Sequence, residues 1–218
     1  MRALDAALKR AGSADRAARE QAYLKSELVH YGVPVPAIRR LVKAHARGHS
    51  DMTREELLAA VAWLWGCGVY ELRVAACELL VSFGELLTEE DATLIERLIR
   101  EAKTWALVDV LAPHVMGALF GAHPSLGSVL DRWARDPDFW VRRAALLTLL
   151  LPLRAGGGDF DRFSRYASQM LGDKEFFIRK AIGWVLRETS KKRPELVRAW
   201  IEEHEPTGLT LREAAKYL

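Results

Sequence analysis

The chain has 218 residues, half of them apolar and 28% charged, with a net charge of +3. That length supports one sizeable core over residues 1–218, and the apolar content excludes a disordered chain. No uninterrupted apolar run approaches a membrane span, and the opening "MRALDAALKRAGSADRAARE" is too charged for a signal peptide, so a cytoplasmic protein with no membrane partner is expected. The two cysteines, Cys67 and Cys77, and the six scattered histidines show no metal-ligand spacing. Neither a disulfide framework nor a structural zinc nor any cofactor is expected.

Strand signals are nearly absent, with no sustained two-residue alternation and no Asn-Gly or Asp-Gly turn. Helical patterns follow one another instead. The first stretch, which includes "AYLKSELVHYGVPVPAIRR", is interrupted at residues 32–36, and later breaks fall at 48–53, 66–68 and 84–90. Thr88 and Asp91 near the last break have the spacing of a capping box. "KTWALVDVLAP" then opens a helix that runs to a break at 123–124. Asp136-Pro137 reads as a cap followed by a first-turn proline. Further breaks at 156–159, 172–174, 193–194 and 206–208 complete about a dozen helices of roughly 10–17 residues.

The helices repeat. "DPDFWVRRAALLTLL" from Asp136 and "DKEFFIRKAIGWVLR" from Asp173 share Asp, Phe, an aromatic, a β-branched residue, Arg, a second base and Ala. A fainter echo, "VYELRVAACELL", lies near residue 70. Such periods in an all-helical chain predict an α-solenoid of HEAT-like helix pairs, one helix of each pair lining a concave groove. Arg73, Asp109, Arg143 and Lys180 occupy equivalent repeat positions and are expected to share one polar surface. Trp105 lies one turn before Asp109, and Trp184 one turn after Lys180. The helical neighbours of Arg143 are Phe139, Leu146, Leu147 and Leu150, a setting in which a guanidinium needs a partner, either Asp109 or a phosphate.

Charge is unevenly distributed. Residues 51–101 hold eleven acidic and four basic side chains, whereas 174–198 hold eight basic and three acidic ones. A concentrated basic segment suits a polyanion, although a solvated face has the same composition. Phe177, Ile178, Ala181, Ile182, Val185, Leu186 and Thr189 form the apolar stripe of a helix in that segment. Trp184 stands at the margin of the stripe among Lys180, Arg187 and Lys191, either as an edge-of-core packer or as a surface for a ligand.

Four segments, "AYLKSELVHYGVPVPAIRR", "KTWALVDVLAP", "WVRRAAL" and above all "KEFFIRKAIGWVLRE", together resemble the DNA alkylation repair enzymes of the AlkD family, HEAT-repeat DNA glycosylases. The resemblance spans most of the chain. It implies hydrolysis of the N-glycosidic bond of cationic alkylated purines, such as 3-methyladenine and 7-methylguanine, in double-stranded DNA. It assigns the catalytic carboxylate to Asp109, stacked aromatics to Trp105 and Trp184, a supporting arginine to Arg143 and an N-terminal cleft tyrosine to Tyr23. Some relatives carry a second tryptophan where this chain has Thr104. Arg179, Lys180, Arg187, Lys191, Lys192 and Arg193 are the candidate phosphate contacts, and a monomer is expected. The alternative is a non-catalytic HEAT-like module that binds DNA or protein.

Overall fold

The computed structural model describes all 218 residues as helices and short connections, and comprises two compact units, Met1–Thr88 and Glu89–Leu218. Apart from one isolated bridge between Val29 and Val69 there is no β-structure. The all-helical repeat architecture expected from the sequence is therefore the observed one.

The first unit contains α1 (Arg2–Ala11), α2 (Ala14–Leu24), α3 (Val35–Arg47), α4 (Arg54–Gly66) and α5 (Tyr70–Ser82). Helix α4 starts at a complete capping box, the Thr53 hydroxyl accepting from the Glu56 N–H while the Glu56 carboxylate accepts from the Thr53 N–H. Helix α5 is the centre of this unit: Leu72, Ala75, Ala76, Cys77, Leu79 and Leu80 are all at or below 1% exposure. A helix apolar on nearly every side must be surrounded, and α3 and α4 both pack on it.

The second unit opens with a 3₁₀ turn, Glu89–Asp91, directly after Thr88. It continues with α6 (Ala92–Ala102), α7 (Trp105–Ala122), α8 (Gly127–Trp133), α9 (Phe139–Thr148, prolonged past Leu149 by Leu150–Arg154), α10 (Phe160–Gln169), α11 (Phe176–Ser190), α12 (Pro194–His204) and α13 (Gly208–Ala214). By length and composition α7 could cross a membrane, a possibility the sequence reading missed because Asp109 interrupts the apolar run. Half of it is buried within the fold, as suits a core helix.

Two local expectations are corrected. Asp136 does not cap α9: Asp138 does, its carboxylate accepting from the Trp140 N–H at 2.9 Å, so Pro137 lies outside the helix. Asp136 instead accepts from the Asp138 N–H and pairs with Arg100 of α6. Within α7 the backbone widens to a π-helix over Leu111–Met116. Pro113 lacks the N–H that would meet the carbonyl of Asp109 four residues earlier, so the regular helical bond is lost at this point.

Successive repeats are tied by polar contacts between residues about one repeat apart. Arg100 with Asp136, Arg132 with Glu96, Trp133 with Glu96 and Trp200 with Ser164 span 36, 36, 37 and 36 residues. Helices α11 and α13 pack tightly, and a Cβ on Gly183 would lie 2.5 Å from the Cβ of Glu213. Only glycine fits there. The apolar stripe of α11 is as expected, with Ile178, Ala181, Ile182, Val185, Leu186 and Thr189 completely buried.

Candidate active site on the second unit

Three helices converge on Arg143. Its guanidinium donates side-on to Asp109, Nε to Oδ1 and Nη2 to Oδ2, both at 2.9 Å. The remaining nitrogen, Nη1, donates to the backbone carbonyl of Phe177 at 2.5 Å. Arg143 on α9 thus holds α7 through Asp109 and α11 through Phe177. The Phe177 ring lies 5.8 Å below the guanidinium and packs against Trp140 and Phe139. The adjacent Arg142, about 100° further round the helix, reaches Asp173 at 2.7 Å in the loop before α11. The "WVRR" sequence therefore sends Arg143 to both neighbouring repeats and Arg142 forward to the next.

The side chain of Arg143 is 3% exposed and that of Asp109 16%. The cation is sealed in, and its carboxylate partner reaches the surface. Bidentate pairing fixes the plane of the carboxylate and uses one edge of it, leaving further lone pairs on each oxygen. Burial raises the Asp109 carboxyl above its ordinary value, opposed by the charge of Arg143 and its hydrogen bonds. Of the two partners the sequence allowed for Arg143, Asp109 is the one observed, and desolvation outweighs the pull of the guanidinium on its carboxyl.

Trp105 is the first residue of α7, set by Thr104, whose hydroxyl accepts from the Ala106 N–H at 3.4 Å. Trp105 is half-buried, one turn before Asp109. Trp184 is also half-buried on α11, seven residues or about 10 Å along the axis from Phe177. Its indole takes no hydrogen bond, ring contact or cation contact within the chain. Tyr23 belongs to α2 of the first unit and is 73% exposed.

The cations around Trp184 are anchored to carboxylates. Lys180 donates to Glu213 at 2.6 Å, and Arg187 pairs with the same carboxylate. Lys191 and Arg154 both pair with Glu188. Four cations thus share two carboxylates, which leaves a positive excess held in defined positions. Arg193 donates to the Gly157 carbonyl and lies over Phe160. Lys192 is exposed and carries no ion pair. Arg179 lies on a different side of α11, where it lines a cavity with Lys174, His204 and Thr207. Sequence reasoning missed Glu188 and Glu213: they lie outside the apolar stripe, and only the packing of α13 on α11 brings Glu213 to the cations.

The family model for DNA alkylation repair enzymes matches residues 4–218. The chain belongs to the DNA alkylation repair enzyme family. Among solved structures it is similar to a predicted DNA alkylation repair enzyme from Enterococcus faecalis, with 25% identity, 95% of this chain and 96% of that one covered, and a TM-score of 0.86. AlkD2 from Streptococcus mutans shares the fold at 18% identity and a TM-score of 0.66, with 94% and 98% of the two chains covered. The protein smu.31 from Streptococcus mutans UA159 does so at 20% identity and 0.63, with 84% and 98% covered. No protein of curated function matches. The family supports a DNA repair role and binding to DNA.

Proposed function

We propose that this repair enzyme is a monofunctional DNA glycosylase that releases cationic alkylated purines from duplex DNA, with Asp109 as its catalytic carboxylate. The observation that carries the reading is the Asp109–Arg143 pair, a carboxylate oriented by a buried guanidinium yet open on its other side.

The chemistry needs little more. An alkylated purine already carries a positive charge, so when the bond from C1′ to the base nitrogen breaks, the bonding electrons neutralise the base and no protein acid is required. Ordinary glycoside hydrolysis recruits two carboxylates; here one suffices. Positive charge moves to the sugar, where the fixed negative charge of Asp109 stabilises it without reorganisation. Water then attacks C1′ and passes its proton to Asp109, a task that the raised carboxyl favours. The faces of Trp105 and Trp184 favour the cationic base and sugar, by about 0.5–2 kcal/mol for each well-placed contact. The cations held by Glu213 and Glu188, together with Lys192, lie along the phosphates and supply salt-sensitive affinity that is independent of sequence.

Incubation of the protein with methylated duplex DNA and chromatography of the products tests this. Free 3-methyladenine or 7-methylguanine with an abasic strand is the expected result. Folded protein that binds the duplex and releases no base would leave a non-catalytic DNA-binding module.

A further inference from the structure

The first unit holds a polar cluster that this reaction does not use. Six buried side-chain nitrogen or oxygen atoms lack a hydrogen-bond partner, and four belong to one locality: Nε of Arg16, Oε2 of Glu20 and both ring nitrogens of His30. Buried polar atoms are otherwise almost always paired; of these four, Oε2 of Glu20 and a lone-pair nitrogen of His30 are acceptors that point to a bound cation, whereas Nε of Arg16, on the guanidinium that bonds the other oxygen of Glu20, is a donor that a cation does not satisfy.

Beside them lies Glu71 on α5, which is completely buried. Its carboxylate accepts three backbone N–H bonds, from Tyr31 at 2.9 Å, Gly32 at 2.6 Å and Val33 at 3.1 Å. That cradle holds the turn against α2, an approach that requires Gly32: at φ +77° its Cβ would lie 2.1 Å from the Ser13 carbonyl oxygen. His30, just before the turn, stacks on Tyr70 at 4.7 Å, which fixes the plane of its ring. One donor atom from each of Glu20, His30 and Glu71 lies within 4.8 Å of the others.

We propose that Glu20, His30 and Glu71 form a binding site for a divalent transition-metal ion of the zinc type. Two carboxylates balance the charge of the ion, and the imidazole supplies a borderline ligand; the set suits zinc, manganese or iron(II) and disfavours a soft copper(I) ion. Donors lie about 2.0–2.2 Å from zinc, so the triad closes on the ion by rotation of Glu20, whose other oxygen is held by Arg16. Three protein ligands leave a further position to water. No short motif announces this site, because its ligands come from α2, the segment before α3, and α5, at sequence separations of 10 and 41 residues.

The full chain, stripped with a chelator and titrated with zinc, provides the test. After desalting, elemental analysis is expected to find one zinc per chain, with a melting temperature raised by the metal. Glu20→Gln, on a partly exposed helix face, and His30→Ala are expected to weaken zinc binding by about a hundredfold or more, the upper range for loss of a mere outer partner. His49→Ala, remote in sequence and with its ring tilted against that of His45, is expected to bind as the parent does. Cobalt substituted for zinc should give visible absorption that Glu20→Gln abolishes. Folded protein that retains no zinc, leaving the cluster to water, would overturn the proposal. So would retention by Glu20→Gln and His30→Ala equal to that of the parent.

Discussion

Two carboxylates of the second unit are each tied to an arginine about one repeat away, yet they are treated in opposite ways. Glu96 on α6 accepts from Arg100 at 2.7 Å, from Arg132 at 2.7 Å and from the indole N–H of Trp133 at 2.7 Å. Asp109 on α7 accepts from Arg143 alone. Burial works against the charge of Glu96, but the bonds from Arg132, Arg100 and Trp133 prevail and take its carboxyl down to about 2. Burial of Asp109 prevails over its single partner, and its carboxyl rises. A saturated carboxylate is a fastener between repeats. One held in orientation but left with spare lone pairs can act on something else.

The comparison breaks most sharply at the arginines. Arg143→Ala leaves Asp109 without a partner in a desolvated setting and is expected to cost about 3–5 kcal/mol of stability in urea unfolding. Arg132→Ala, at an exposed partner of Glu96, should cost no more than about 1 kcal/mol. A loss for Arg143→Ala as small as that for Arg132→Ala would remove the distinction.

Next come the indoles. Trp184→Ala, like Trp105→Ala, is expected to lower single-turnover base release by about 2- to 30-fold, the equivalent of one cation–π contact. Equal release with weaker binding would make these side chains a platform for DNA only.

The pH dependences of the two carboxylates have opposite signs. Glu96 contributes stability above its unfolded value of 4.5 that is lost as pH falls toward 2, and Glu96→Gln removes that acid-sensitive portion. Asp109 has a raised folded value, so its contribution is fully present below 3.8 and is lost as pH rises through the folded value. Base release needs the carboxylate, so its acid limb should lie above 3.8. A limb at or below that value would contradict the burial argument. The smallest effect concerns Lys192, which has no internal ion pair. Lys192→Ala should reduce the salt slope of DNA binding by about one, with similar losses on damaged and undamaged duplex.

Much of this was readable in the chain. The stripe of α11 and the repeat offset follow from apolar periodicity, because burial in a helix obeys the 3.6-residue turn whatever the neighbours are. The partnership of Arg143 was legible as a need, since Leu146, Leu147 and Leu150 leave a guanidinium no solvent; the repeat spacing narrowed its partner to Asp109 or a phosphate. Residues whose role depends on which helices meet were not legible. Glu213 lies 26 and 33 residues from the two cations it anchors, and nothing local marks it. The π-turn at Leu111–Met116 hid in an apolar run whose Pro113 gave the only sign. Glu20, His30 and Glu71 became neighbours only through the turn that Gly32 permits. The start of α9 was misplaced by two residues because Asp136 and Asp138 are both good caps, and Arg100 had already engaged the first.

The most direct measurement is the single-turnover rate of base release from methylated duplex DNA by Asp109→Asn beside Glu96→Gln, with duplex binding followed in parallel. Asp109→Asn keeps the shape of the side chain and an acceptor for Arg143. The account predicts a fall of about 10²–10³-fold for Asp109→Asn with binding retained, and the parent rate for Glu96→Gln. An unchanged rate for Asp109→Asn, or equal losses in both variants, would contradict it.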